Sequence, residues 1–223
     1  MDAGNAWPKD SPWLRDAVEA LPRDAFAPDS VWTWDGHAWQ RVDRAADPQA
    51  WARFVHAGPD DATITEITDG VPSSSLSCTS IVVDMLDSLD LQPAHRVLEL
   101  GTGTGWNAAL IAHRVGPTGH VTSIETDPTL ATIAAATLTR AGARVDVRLG
   151  DGTLGRPLRT ADRHPPGLTT AKDGRSATGW LHGLAQFMNA RGTPTHRHVR
   201  ADRDPDHERV LTRDPRPSST TPT

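Results

Sequence analysis

Apolar and polar positions alternate most regularly in the middle of the chain, between residues 71 and 155. Short apolar runs predict strands there, and apolar residues spaced three and four apart predict helices between them. Strands that alternate with helices require a parallel sheet with right-handed crossovers. The predicted elements are a helix over 79–90, a strand over 96–100, a helix ending near 114, a strand over 120–125, a helix over 128–141 and a strand over 144–149.

The flanking segments follow different patterns. The first 70 residues hold six of the eight tryptophans, and they predict helices over 12–21 and 48–56 with a hairpin that turns at Asp35-Gly36. Beyond residue 155 the chain is rich in Pro, Arg, Asp and Thr, although 168–171 and 177–181 are able to pair. We therefore predict four parts: a Trp-rich extension over 1–70, a cofactor-binding core over 71–155, a C-terminal remnant over 156–191 and a disordered tail over 192–223.

Composition narrows the class of protein. The chain has 223 residues, a net charge of −5 and one cysteine, Cys78. The acidic balance disfavours nucleic acid and anionic membranes as partners, and one cysteine allows no internal disulfide and no cysteine-based zinc cluster. No apolar run has the length of a membrane span and no secretory signal is visible. We therefore expect a soluble cytoplasmic protein without a metal site, and the pattern indicates no particular oligomeric state.

A glycine-rich turn follows the first predicted strand. It reads Gly101-Thr102-Gly103-Thr104-Gly105 and leads directly into a helix. Glycine is needed where the chain turns sharply and where a Cβ atom would collide with a bound molecule. The first amides of the following helix favour a negatively charged group of the ligand. This turn, including Thr102, is the predicted cofactor-binding loop.

Acidic residues lie on or directly after the three predicted strands. Glu125 ends the second strand, about 20 residues after the last glycine, where a carboxylate is able to accept the hydroxyls of a ribose. Asp151, followed by Gly152, ends the third strand and is a candidate acceptor for the exocyclic amine of adenine. Glu99 lies within the first strand and is a further candidate for holding the cofactor.

Other interpretations of the glycines fit less well. A dinucleotide fingerprint reads Gly-x-Gly-x-x-Gly, whereas this turn reads Gly-x-Gly-x-Gly, and the Lys-Ser or Lys-Thr of a phosphate-binding loop is missing from it. Glycines after a strand also form tight turns that bind nothing. The coincidence of the turn with acids at the ends of two further strands favours a nucleotide-cofactor site over a structural turn, with S-adenosylmethionine as the predicted cofactor and NAD as its close competitor.

The glycine-rich turn and its flanks resemble a motif of protein-L-isoaspartate O-methyltransferases. The central match reads Val97-Leu98-Glu99-Leu100-Gly101-Thr102-Gly103-Thr104-Gly105-Trp106, and further matches lie at 20–29, 123–125 and 150–152. The resemblance implies an α/β, Rossmann-like fold of the S-adenosylmethionine-dependent methyltransferases. The tryptophans and the serines at 73–75 also resemble an actinobacterial branch of the family that is associated with gene clusters for peptides modified by ATP-grasp ligases.

The same resemblance implies an enzyme that methylates a carboxylate. The methyl group of S-adenosylmethionine passes to an aspartyl or isoaspartyl residue of a protein or peptide partner. The family's substrate loop aligns with Ser77-Cys78-Thr79, which makes Ser77 the candidate catalytic residue, although the family's proline is replaced by Thr79. Ser77 is also a candidate N-cap for the helix over 79–90.

The later strands of the family have no counterpart after Gly155. We interpret this as a deletion that truncates the sheet after the third predicted strand and exposes apolar surface beside the first. A second hypothesis follows, in which the chain is a catalytically inactive homologue that binds a peptide or partner through its tryptophans.

Overall fold

The computed structural model describes residues 7–151 and four short strands nearer the C-terminus, which belong to two compact units. In the first unit, helix α1 and a 3-10 helix precede an antiparallel sheet of four strands in the order β2-β1-β3-β4. The elements of this part are α1 (Trp13–Ala20), the 3-10 helix (Arg23–Phe26), β1 (Ser30–Trp34), β2 (Trp39–Asp43), α2 (Pro48–Val55), β3 (Thr63–Thr68) and β4 (Val71–Leu76).

Local side chains explain the turn and helix start that were predicted here. The Asp35 carboxylate accepts the amides of His37 and Ala38, each at 2.8 Å, and so closes the β1–β2 hairpin. Asp47 caps α2 by accepting the Ala50 amide at 2.8 Å, and Pro48 occupies its first turn.

Strands β3 and β4 were not predicted, because their sequences are dominated by Thr and Ser and contain Pro72. Side-chain hydrogen bonds join them, including Thr65 to Ser74 at 3.0 Å. Proline is tolerated because β4 is an edge strand of the sheet. The part boundary predicted after residue 70 therefore falls within the β3–β4 hairpin, and strand pairing crosses it.

The second half of this unit is an α/β, Rossmann-like layer, as predicted. Its three strands are parallel and adjacent in the order β5-β6-β7. The helix ends differ from the predicted ones by only a residue or two. The elements are α3 (Thr79–Ser88), β5 (Arg96–Leu100), α4 (Trp106–Val115), β6 (His120–Glu125), α5 (Pro128–Arg140) and β7 (Val145–Leu149).

One hydrophobic core joins the N-terminal helix to this layer. Trp106 is buried at the start of α4, and its indole Nε1 donates to the carbonyl of Leu21 at 2.9 Å. Leu14 and Ala17 of α1 lie in the same core as Leu110 of α4. Helix α1 therefore packs against the parallel layer, in one core with α4.

The face of the parallel sheet away from this core is open among residues 7–151. Within the described residues, strand β5 pairs only with β6. Leu98 and Leu100 of β5 are 41% and 58% exposed on the open face. These residues alternate with Val97, which packs against the core on the other face. The deletion predicted after Gly155 lies outside the described residues.

The second unit contributes two antiparallel pairs of strands. Strand β8 (Leu168–Thr170) pairs with β9 (Ala177–Gly179), which is the pairing expected from the sequence. Strand β10 (Arg200–Arg203) pairs with β11 (Arg209–Thr212), within the segment that was expected to be disordered. None of the helices in the described residues is long and apolar enough to cross a membrane.

Candidate functional site

The glycine-rich turn joins the end of β5 to the start of α4, and all three of its glycines have positive φ. The values are +90° at Gly101, +54° at Gly103 and +87° at Gly105, a region that other residues enter only at a cost. A Cβ atom on Gly105 would also lie 3.2 Å from Leu138 Cγ. Backbone conformation and packing thus explain why glycine recurs here.

Glu125 fixes the middle of this turn. Its carboxylate is almost wholly buried, and Oε2 accepts the amide of Gly103 at 2.9 Å. Oε1 accepts the amides of Thr126 and Asp127 at 2.8 and 3.1 Å. One carboxylate therefore ties the glycine-rich turn to the loop that starts α5, at the carboxyl ends of two parallel strands.

Glu99 of β5 belongs to a hydrogen-bonded network of polar side chains that reaches the turn. Its Oε1 accepts from Asn107 Nδ2 at 2.7 Å, and its Oε2 accepts a short hydrogen bond from the Ser123 hydroxyl. Ser123 is also 2.6 Å from the hydroxyl of Thr102, which belongs to the turn. The predicted residues Glu99 and Thr102 are thus linked through Ser123, which sequence reasoning did not single out.

Burial raises the pKa of Glu99 to about 7. The hydrogen bonds from Ser123 and Asn107 oppose this shift, and the nearby Glu125 carboxylate adds to it. Each oxygen of Glu99 accepts a hydrogen bond from a protein donor, so the side chain helps to hold the turn through Ser123 and Thr102. Direct contact of Glu99 with the cofactor stays a prediction.

Asp151 is exposed directly after β7. The end of this strand is held beside β6 because the Gly150 amide donates to the backbone carbonyl of Glu125 at 2.8 Å. The structure thus brings Asp151 to the same sheet edge as Glu125 and the glycine-rich turn. Gly152, the remaining predicted residue, lies outside the described part of the chain.

Strand β4 approaches the turn from the antiparallel sheet. A Cβ atom on Gly103 would lie 3.9 Å from both the Ser74 hydroxyl and the Ser75 carbonyl. Ser77 follows this strand directly, and the N-cap position of α3 is Cys78. Ser77 is therefore not the cap residue of that helix, which removes the alternative role considered for it.

Two further polar residues of this region were missed from the sequence. Ser123 is recognisable only from the parallel register, which sets it opposite Glu99. Arg23 donates to the backbone carbonyl of Ser77 at 2.9 Å although 54 positions separate them in the sequence. Among residues 7–151 and the four short strands, no group of His, Cys, Asp or Glu side chains is arranged to hold a metal ion.

Comparison with known proteins adds a family match. Residues 9–161 match the family model described as protein-L-isoaspartate(D-aspartate) O-methyltransferase. Protein-L-isoaspartate O-methyltransferase of Methanothrix thermoacetophila is 48% identical over 82 residues, 36% of this chain and 39% of that protein. The enzyme of the same name from Hyperthermus butylicus is 33% identical over 168 residues, covering 68% and 64% of the two chains.

A solved structure of a protein-L-isoaspartate O-methyltransferase also resembles the chain, with 24% identity and a TM-score of 0.43. The match covers 68% of this chain and 41% of that one. The chain spans about two fifths of the length of several curated relatives that it matches, including 39% of the Methanothrix protein.

The raised pKa of Glu99 predicts how stability depends on pH. The folded protein holds this proton up to about pH 7, whereas the unfolded chain releases it near the ordinary value of 4.5. The stabilisation is complete below pH 4.5 and is lost as the pH rises through 7. We expect the free energy of unfolding in urea to decline less between pH 5 and 8 in Glu99→Gln than in the unchanged protein.

The two proteins share every other ionisable group, so the difference between the two curves isolates Glu99. Parallel curves over this pH range would show that Glu99 is ionised in the folded protein.

Proposed function

The chain belongs to the protein-L-isoaspartate(D-aspartate) O-methyltransferase family, and from this we propose that it methylates a carboxylate of an aspartyl or isoaspartyl residue. The methyl donor is S-adenosylmethionine, and the partner is a protein or peptide. The observation that carries the proposal is the glycine-rich turn whose Gly103 amide is held by Glu125 at the carboxyl ends of parallel strands. Ligands of open α/β sheets bind at this edge.

The space and the polar atoms around the turn fit this cofactor. Among the described residues, no atom lies within 4 Å of the place that a Cβ on Gly101 would take, so a ligand has room to approach the backbone. Asn107 Oδ1 is buried and accepts no hydrogen bond from the described residues, which leaves an acceptor beside the turn for the ammonium group of the cofactor. The amides at the start of α4 suit its carboxylate.

The strand-end acids hold the nucleoside part in this proposal. Among the described residues, Glu125 Oε2 accepts only the Gly103 amide, and a carboxylate oxygen has a second lone pair for a ribose hydroxyl. Asp151, with Gly152, receives the exocyclic amine of adenine. Glu99 and Thr102 contribute indirectly, because they hold the turn through Ser123.

The transfer itself requires positioning more than proton transfer. The cofactor supplies a methyl group on a positively charged sulfur, and the substrate carboxylate is already ionised at neutral pH. A carboxylate oxygen forms the new bond to the methyl carbon while the sulfur–carbon bond breaks, leaving a methyl ester and S-adenosylhomocysteine. Ser77 donates a hydrogen bond that orients the carboxylate for this attack.

A binding module that does not transfer methyl groups is the second candidate. Trp34, which is 52% exposed, packs edge-to-face against Trp39 at 5.3 Å between ring centroids. Exposed aromatic pairs of this kind favour a peptide partner. Cofactor binding without formation of a methyl ester on any aspartyl or isoaspartyl peptide would support this second function.

Gly103→Val tests the cofactor site. Valine at φ +54° is strained, and its branches enter the space between the turn and β4. We expect the Kd for S-adenosylmethionine, measured by calorimetry, to rise by roughly 100-fold, which corresponds to about 2.8 kcal/mol. Gly142→Val is the matched control, because Gly142 has φ +68° and open surroundings at the end of α5. Equal loss of affinity in both variants would contradict a site at Gly103.

Ser77→Ala tests the substrate side. Methyl ester formation is followed with isotopically labelled cofactor on an isoaspartyl peptide and on its aspartyl counterpart. Loss of a hydrogen bond to a charged group costs about 1.5–3 kcal/mol, so we expect kcat/KM to fall by roughly 10- to 100-fold. The cofactor Kd stays the same.

Ser88→Ala is the control for this experiment, because the Ser88 hydroxyl bonds only the Asp84 carbonyl one turn earlier on α3 among the contacts that the structure describes. An unchanged kcat/KM in Ser77→Ala would remove Ser77 from the site.

A further inference from the structure

The guanidinium group of Arg23 lies near the ends of two elements, helix α2 and strand β4, and near the start of strand β3. Arg23 begins the 3-10 helix that follows α1, and it is half-buried. It makes five hydrogen bonds, all to oxygen atoms distant in the sequence. The acceptors are the carbonyls of Val55 at 2.6 Å, Leu76 at 2.8 Å, Ser77 at 2.9 Å and Asp61 at 3.1 Å, and the hydroxyl of Thr63 at 3.2 Å.

These acceptors lie at the C-terminal end of α2, at and before the start of β3, and at the end of β4, so Arg23 links three elements. Arginine suits this place because its planar fork presents N–H donors on three nitrogen atoms in fixed directions. Nη2 contacts three of the acceptors with its two N–H groups, so one of those groups is shared between two oxygen atoms. The last carbonyl groups of a helix have no partner within it, so the bond to Val55 also satisfies an acceptor at the end of α2. Lysine is able to offer only three donors, from a single nitrogen atom.

Two of the five bonds hold the carbonyls of Leu76 and Ser77 on the segment proposed to meet the substrate. The next residues are held from another side, because the Ser80 amide donates to the Pro59 carbonyl at 2.9 Å. The preceding part of β4 lies beside Gly103 of the cofactor-binding turn. The position of this segment relative to the cofactor is therefore set by contacts outside the segment itself.

We propose that Arg23 is a positioning residue for methyl transfer, which holds the backbone of Leu76 and Ser77 so that the Ser77 hydroxyl meets the substrate carboxylate. This inference rests on the proposed function. Arg23 touches neither substrate nor cofactor in this account. The turn at 101–105 has its own support from Glu125 and Ser123, so loss of Arg23 disturbs the substrate side of the site and leaves the cofactor side intact.

The test compares Arg23→Met, Arg23→Lys and the surface control Arg15→Met, whose Arg15 pairs with Glu19 on the exposed side of α1. Displacement of a positioned group by about 1 Å is able to cost 100-fold in rate. We expect Arg23→Met to lose roughly 10- to 100-fold in kcat/KM on an isoaspartyl peptide, chiefly in kcat, with the Kd for S-adenosylmethionine within about twofold of the unchanged protein. Arg23→Lys recovers part of the loss.

A folded Arg23→Met with unchanged kcat/KM would overturn the inference. If Arg23→Met fails to fold, Arg23→Lys decides: reduced kcat/KM with unchanged cofactor Kd supports the role, and unreduced kcat/KM overturns it. Parallel loss of cofactor binding and activity in the folded variants would assign Arg23 a general structural role instead. An unchanged protein that binds cofactor and methylates neither peptide overturns the proposed function itself, and with it the role of Arg23.

Discussion

A hydrogen bond from the Gly103 amide to the Glu125 carboxylate ties the glycine-rich turn to the end of the neighbouring strand. It forms because β5 and β6 are parallel and adjacent, so that both strands end at the same edge of the sheet. The positive φ values of the three glycines let the backbone reach that carboxylate. Through its two oxygens the Glu125 carboxylate links the turn to the loop before α5.

The N-terminal segment contacts both parts of the unit at two neighbouring residues. Trp106, which begins α4, donates to the carbonyl of Leu21. Arg23, two residues later, donates to carbonyls at the ends of α2 and β4. One short stretch of chain therefore links the parallel layer to the antiparallel sheet within one compact unit.

Sequence patterns predicted the parallel layer well, because its signals are local. Short apolar runs mark the strands, Asp127 marks the start of α5, and the glycines mark the turn. Strands β3 and β4 were missed because Thr and Ser replace apolar residues there, and their pairing depends on cross-strand hydroxyl contacts. The roles of Ser123 and Arg23 were also missed, since each depends on residues brought near by the fold rather than by spacing along the chain.

We propose that the turn supported by Glu125 binds S-adenosylmethionine. The most direct measurement is a titration of the isotopically labelled protein with this cofactor, followed through backbone amide resonances. The account predicts saturable shifts centred on Gly101, Gly103, Gly105 and the amides that follow Glu125, with small effects in β1 and β2. Absence of shifts, or shifts confined to the tryptophan-bearing hairpin, would contradict it.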